Sequence, residues 1–287
     1  MKLNTRIAPS PTGDMHIGTA RTAYFNWLAA RSTGGIFTLR IDDTDLARSD
    51  SKFSQVILDT MAWLGLTYDN LFYQSQRFTS YRIVADDLLS SGMAVKDGDA
   101  IILMPKSLPD SWNDDLAGKV VISGDDKSGM TKGIVLIKSD GSPTYHFASV
   151  VDDIDMDINF VIRGADHITN TSRQVAIYHA LGKPLPRYAH VGLIHKDGKK
   201  LSKRDGAASM LAYRDQGIDP DAMLNFMARL GWGPTVDDKT TAILPRERML
   251  DLFLSGGKMK GSSANMDLVK LASFDRKYKG RKEQAKT

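Results

Sequence analysis

The sequence predicts an α/β fold: a parallel sheet covered by helices, followed by a helical C-terminal region. Two patterns lead there. Residues 3–8 and 36–41 are short apolar runs that read as strands, and between them Ala20, Ala23, Tyr24, Trp27 and Leu28 fall on one face of a helix over 20–31. Behind the second strand, Phe53, Val56, Ile57, Met61 and Leu64 recur at helical spacing, with Asp50 or Ser51 placed to cap them. Strands alternating with helices call for a parallel sheet, and such sheets bind ligands beyond the carboxyl ends of their strands.

The pattern breaks over 74–132. Gly, Pro, Asp and Ser clusters surround short apolar runs at 100–104 and 119–123, which predicts an insertion. Strand-like runs resume at 134–137 and 159–163 and are expected to close the sheet. After Arg204 the chain turns helical, with Ala222, Leu224, Met227 and Leu230 ahead of Gly231-Trp232-Gly233-Pro234, and a final helical region is expected over 246–254. The expected organisation is a first half of the sheet over 1–73, an insertion over 74–131, a second half over 132–205 and a helical domain over 206–287. There is no internal repeat.

Composition narrows the classes. With 287 residues, 42% hydrophobic and 25% charged, the chain can bury a sizeable core and fits a globular protein. It has no apolar run of about 18 residues and no signal-peptide layout, so a cytoplasmic protein with no membrane contact is expected. The absence of cysteine excludes disulfides and thiolate metal sites, and six scattered histidines offer no zinc site; no protein-bound metal is expected. Net charge is only +4, but Arg276, Lys277, Lys279, Arg281, Lys282 and Lys286 make the tail basic, either a phosphate-meeting surface or a frayed end.

Two stretches carry the chemistry. Pro9-Ser10-Pro11-Thr12-Gly13 and His16-Ile17-Gly18-Thr19 precede the first helix, so His16 and Gly18 belong at its N-terminus, where unpaired N–H groups and the helix dipole favour a phosphate. Lys199-Lys200-Leu201-Ser202-Lys203-Arg204 adds ammonium groups to the same polyphosphate. Either signal alone is ordinary; together, in this order, they describe a site for a nucleoside triphosphate.

These stretches resemble the two signatures, "HIGH" and "KMSKS", of the class I aminoacyl-tRNA synthetases, and the chain is most similar to the bacterial-type glutamyl enzymes. Leu39-Arg40-Ile41-Asp42-Asp43-Thr44-Asp45, Ser142-Pro143-Thr144-Tyr145-His146-Phe147 and Val161-Ile162-Arg163-Gly164-Ala165-Asp166-His167 agree as well. The resemblance spans residues 5–278 and is weak over 74–132. It implies a Rossmann-like sheet, an inserted subdomain gripping the tRNA acceptor end, a C-terminal helical stem-contact domain, and a monomer. The separate anticodon-binding domain of the relatives is expected to be missing.

The resemblance also implies roles. His16, Lys200 and Lys203 would be catalytic. ATP would meet His16, Gly18, Thr19, Asp166, Ile194, Lys200, Ser202 and Lys203, with Mg²⁺ sharing the phosphate charge. L-Glutamate would meet Arg6, Ala8, Ser10, Asp42, Tyr145 and Arg163, with the α-ammonium on Ser10 and Asp42. Asp42 departs from the pattern, since glutamyl enzymes of this type usually carry Glu there. The implied activity is ATP-dependent ligation of L-glutamate to the 3′ end of a tRNA through a glutamyl-adenylate. The alternative is glutamyl transfer to another acceptor, as in the truncated relatives that glutamylate queuosine in tRNA-Asp. Those relatives carry a cysteine zinc site that this chain lacks. A non-catalytic tRNA or nucleotide binder is a third reading, against which His16 and Lys203 stand.

Overall fold

The computed structural model of the protein describes residues 1–196, 199–200, 209–234 and 243–285, the side chains of 199 and 200 excepted. The chain opens with β1 (Thr5–Ile7), α1 (Ile17–Thr33), β2 (Phe37–Ile41), α2 (Ser51–Trp63) and β3 (Asn70–Tyr73), close to the sequence pattern. The three strands are parallel neighbours in the order β1-β2-β3. Helix α1 is longer than its apolar stripe because His16 caps its start and Gly34, left-handed at φ 64°, ends it. Asp50 caps α2 by accepting from the Lys52 amide.

Across the expected insertion and just beyond it lie α3 (Phe78–Ser90), β4 (Ala94–Asp97), β5 (Ala100–Leu103), β6 (Ser111–Asp114), β7 (Gly118–Val121), α4 (Gly124–Thr131) and β8 (Ile134–Ile137). β6 and β7 form an antiparallel hairpin. Residues 134–137 are a strand, but they do not close the parallel sheet: β8 pairs antiparallel with β5, which pairs with β4. An apolar run of four residues has no feature that names its partner strand.

After α5 (Tyr145–Asp155) the chain returns to the main sheet as β9 (Phe160–Gly164), then α6 (Ile168–Ala180) and β10 (Arg187–Val191). The amides of Asn159 and Phe160 donate to the carbonyl of Asn4 at 3.1 and 3.3 Å, which sets β9 beside β1. β10 runs parallel to β9, with His190 opposite Arg163.

The remainder comprises β11 (Ile194–Lys196), β12 (Lys199–Lys200), α7 (Met210–Asp215), α8 (Pro220–Arg229), β13 (Trp232–Pro234), α9 (Arg246–Leu252), β14 (Gly257–Met259), β15 (Ala264–Asn265) and α10 (Leu268–Gln284). The basic residues 276–282 are part of α10 and not frayed, while Lys286 lies outside the described residues. Leu271, Phe274 and Tyr278 are buried, and Lys282 pairs with Asp219 and Asp221 of the α8 entry. Among the described residues no helix is long and apolar enough to cross a membrane.

Two apolar cores flank the parallel sheet. One joins α1, α2, α8 and α10 to the face carrying Ile7, Leu39, Ile41, Phe160 and Ile162. The other joins the insertion, α5 and α6 to the face carrying Val161 and Tyr188. Burial on both faces explains why the strands read as continuous apolar runs rather than as alternating ones.

Candidate active site

Because side chains alternate across a strand, placing Ile7, Leu39, Ile41 and Ile162 on the α1 face sends Arg6, Arg40 and Arg163 to the α5 and α6 face. Three cations on one buried face demand compensation, since an unpaired buried charge costs several kcal/mol. Helix α5 answers with adjacent carboxylates. Asp153 accepts from Arg6 Nε at 3.1 Å and from Arg40 Nη1 at 2.7 Å. Asp152 accepts from Arg77 Nε, Gln74 Nε2 and Tyr81 Oη at 2.7, 2.8 and 2.9 Å. Arg40 Nε donates to Asp42 at 2.7 Å. Burial pushes the Asp42 carboxyl up to about 6 against the pull of Arg40, whereas Arg6 and Arg40 together overcome burial and hold Asp153 below the usual carboxylate range.

Arg163 is treated differently. Only 6% exposed, it makes no ion pair among the described residues. Its Nε donates to His190 Nε2 at 3.1 Å, and its Nη2 donates to Thr171 Oγ1 at 2.7 Å and Gln174 Oε1 at 2.6 Å. All three acceptors are neutral, and burial lowers the guanidinium pKa.

These groups border a cleft of about 420 Å³ at the carboxyl ends of the parallel strands. Arg6, Ala8, Ser10, His16, Gly18, Thr19, Asp42, Tyr145, Arg163, Asp166 and Ile194 all line it. These are residues that the family resemblance implies, and they come from segments scattered over the chain. Ser202 and Lys203 lie outside the described residues, as does the side chain of Lys200. Arg21, Arg40 and His167 line the cleft too, and none of them was assigned a ligand contact.

The helix start departs from expectation. His16 Nδ1 accepts from the Gly18 and Thr19 amides at 3.1 and 3.4 Å, so these two N–H groups are already partnered. The proton then sits on Nε2, 3.3 Å from Thr19 Oγ1. Gly18 is needed for space: a Cβ there would come 3.0 Å from both Cε1 and Nδ1 of His16. At the end of β9, a Cβ on Gly164 would fall 2.5 Å from Asp166 Oδ1. Tyr145 opens α5, and its hydroxyl lies 3.4 Å from His167 Nδ1. Burial lowers His167 to about 4, so the ring is neutral at physiological pH.

The family of tRNA synthetases class I (E and Q), catalytic domain, matches residues 2–101 and 99–277. The chain belongs to this family. A class I synthetase relative, glutamate–tRNA ligase 2 of Neorickettsia sennetsu, is 46% identical over 282 residues. That alignment covers 97% of this chain and 66% of the relative's length. Two solved structures of the same class share the fold at a TM-score of 0.84 and 28% identity, each covering 97% of this chain and 70% of the other. They are a glutamate tRNA ligase from Elizabethkingia meningosepticum in complex with its amino acid and a glutamate–tRNA synthetase from Elizabethkingia anophelis.

Proposed function

We propose that the chain ligates L-glutamate to the 3′ end of a tRNA through a glutamyl-adenylate. The observation that carries this reading is Arg163: a buried guanidinium at the cleft wall, held only by neutral acceptors, asks for an anionic ligand. Arg6 stands in the same wall with Nε spent on Asp153, while its Nη1 and Nη2 make no hydrogen bond among the described residues. The Nη1–Nη2 edge of Arg6 and the Nη1 of Arg163 suit a substrate with two carboxylates. Asp42 and Ser10 supply the acceptors that an α-ammonium requires, and Tyr145 and Ala8 complete this end of the cleft.

The other end suits ATP. His16 Nε2 and the Gly18–Thr19 turn face the phosphates, and Asp166 and Ile194 flank the adenosine. A carboxylate of the amino acid attacks the α-phosphorus, the P–O bond to pyrophosphate breaks, and the pyrophosphate leaves with its electron pair. No general base is needed, because the nucleophile is already an anion. Catalysis rests on alignment and on neutralising phosphate charge, for which Lys200, Ser202 and Lys203 are the candidates. Among the described residues no three His, Asp or Glu side chains form a metal cluster, so Mg²⁺ would come bound to the triphosphate and add charge neutralisation there. The acceptor arm would lie on the insertion and the C-terminal helices of a cytoplasmic monomer.

Glutamate-dependent ATP–pyrophosphate exchange, with and without total tRNA, tests this. Exchange that requires tRNA is the expected result. Exchange in its absence would assign the adenylate to another acceptor, such as queuosine in tRNA-Asp. No exchange in either condition would overturn the reading.

A further inference from the structure

His190 has no place in the reaction described above, yet it is among the most constrained side chains in the protein. It is 1% exposed on β10, directly across the parallel ladder from Arg163. Because Nε2 accepts from Arg163 Nε, the ring proton must sit on Nδ1, which donates to Asp114 Oδ2 at 2.6 Å. Asp114 closes strand β6 of the inserted hairpin and is itself pinned: its carboxylate accepts from the amides of Leu116, Ala117 and His190 at 2.9, 2.8 and 3.1 Å. Trp112, two residues earlier, lays its ring 5.5 Å from the imidazole and donates Nε1–H to Ser172. The amide of Asp115 donates to the carbonyl of Tyr188, which ties hairpin to sheet.

We propose that His190, fixed by Asp114, is a positioning residue for Arg163, setting the angle at which the guanidinium meets the substrate carboxylate. This inference rests on the functional reading above, and it names how that reading's central cation is aimed. A carboxylate placed directly on Arg163, as Asp153 is on Arg40, would neutralise the charge and compete with the substrate. A neutral imidazole passes orientation on to Arg163 while Asp114, the anion that holds the ring, stays one residue removed. Thr171 and Gln174 complete the same arrangement from α6. The guanidinium is thereby oriented by three hydrogen bonds, and its charge is reserved for the ligand.

Steady-state ATP–pyrophosphate exchange with the full chain and tRNA, varying glutamate and ATP separately, tests this. His190→Phe removes the ring's contacts with Arg163, Asp114 and Thr171 and is expected to raise the glutamate KM about 10- to 100-fold, as loss of one hydrogen bond to a charged group implies. The ATP KM and kcat should stay within roughly threefold, for a defect confined to one substrate's ground-state contact. His190→Gln, whose Oε1 can stand where Nε2 was, should recover most of the loss. Should the Phe variant fail to fold by circular dichroism, Asp114→Asn provides the same comparison. An unchanged glutamate KM, or an equal defect for both substrates with no rescue by Gln, would overturn the inference alone. A wild-type chain without glutamate-dependent exchange would overturn the functional reading and this inference with it.

Discussion

Arg40 and Arg163 project from the same face of one sheet and meet opposite environments. Arg40, wholly buried, is bonded to Asp42 and Asp153. Its work is structural, and Arg40→Met would strand buried Asp42 and leave Asp153 to Arg6 alone, at a cost of about 3–5 kcal/mol, read as a lower urea midpoint. Arg163 faces the cleft with its charge uncompensated, so Arg163→Lys should fold normally while raising the glutamate KM on the order of 10²-fold, because an ammonium with three donors cannot keep the bonds to His190, Thr171 and Gln174 and also reach a carboxylate, as the guanidinium can through Nη1. Asp42 gives the site a pH signature. Its carboxyl titrates near 6, so the anion that an α-ammonium needs is present above that value and lost as pH falls through it. The glutamate KM should therefore rise from pH 7 to pH 5, and in Asp42→Asn it should be raised already at pH 7 and flat below it. Which residues line the cleft was legible because short local motifs carry the resemblance to the synthetase family, which implies those positions. That Asp153 and His190 hold the arginines was not, because those pairings depend on strand register and on the placement of α5.

Among the elements, α1 and α10 are instructive. α1 was readable from its stripe and from the Pro/Gly turn before it, but the capture of its first amides by His16 was not, since a ring orientation leaves no mark on sequence pattern. Gly18→Ala is expected to displace the His16 ring and raise the ATP KM, with little effect on the glutamate KM; a crystal structure of the variant would show the ring moved. α10 has Leu271, Phe274 and Tyr278 at helical spacing, but the surrounding charge hides so thin a stripe. α3 escaped for a similar reason, with Tyr81, Ala85 and Leu88 its only buried positions. At the start of α8, Asp219 accepts from the Asp221 and Ala222 amides and pairs with Lys282 of α10. Asp219→Ala should cost about 1 kcal/mol from the lost cap, seen as a lower Tm.

For the whole molecule, the two cores share one sheet, so neither can melt and leave the other intact. With Trp112 in one core and Trp232 in the other, single-tryptophan proteins keeping one or the other should report coincident urea transitions. Separated midpoints would show that the insertion unfolds independently. The α/β class and the parallel first half were legible because helical and strand periods alternate cleanly there. The fate of β8 was not, because four apolar residues fit either sheet. The junction of β1 with β9 has a further consequence. Asn4 and Asn159, 155 residues apart, are bonded side by side, so the strand made first waits for one of the last strands of its sheet. During synthesis β1 has an unpaired apolar edge until more than half of the chain has emerged, which slows folding and exposes the intermediate to pairing with another chain. A fragment ending before β9 should therefore aggregate, and the cleft, whose Arg6 and Arg163 come from both sides of that junction, forms only when the late strands arrive.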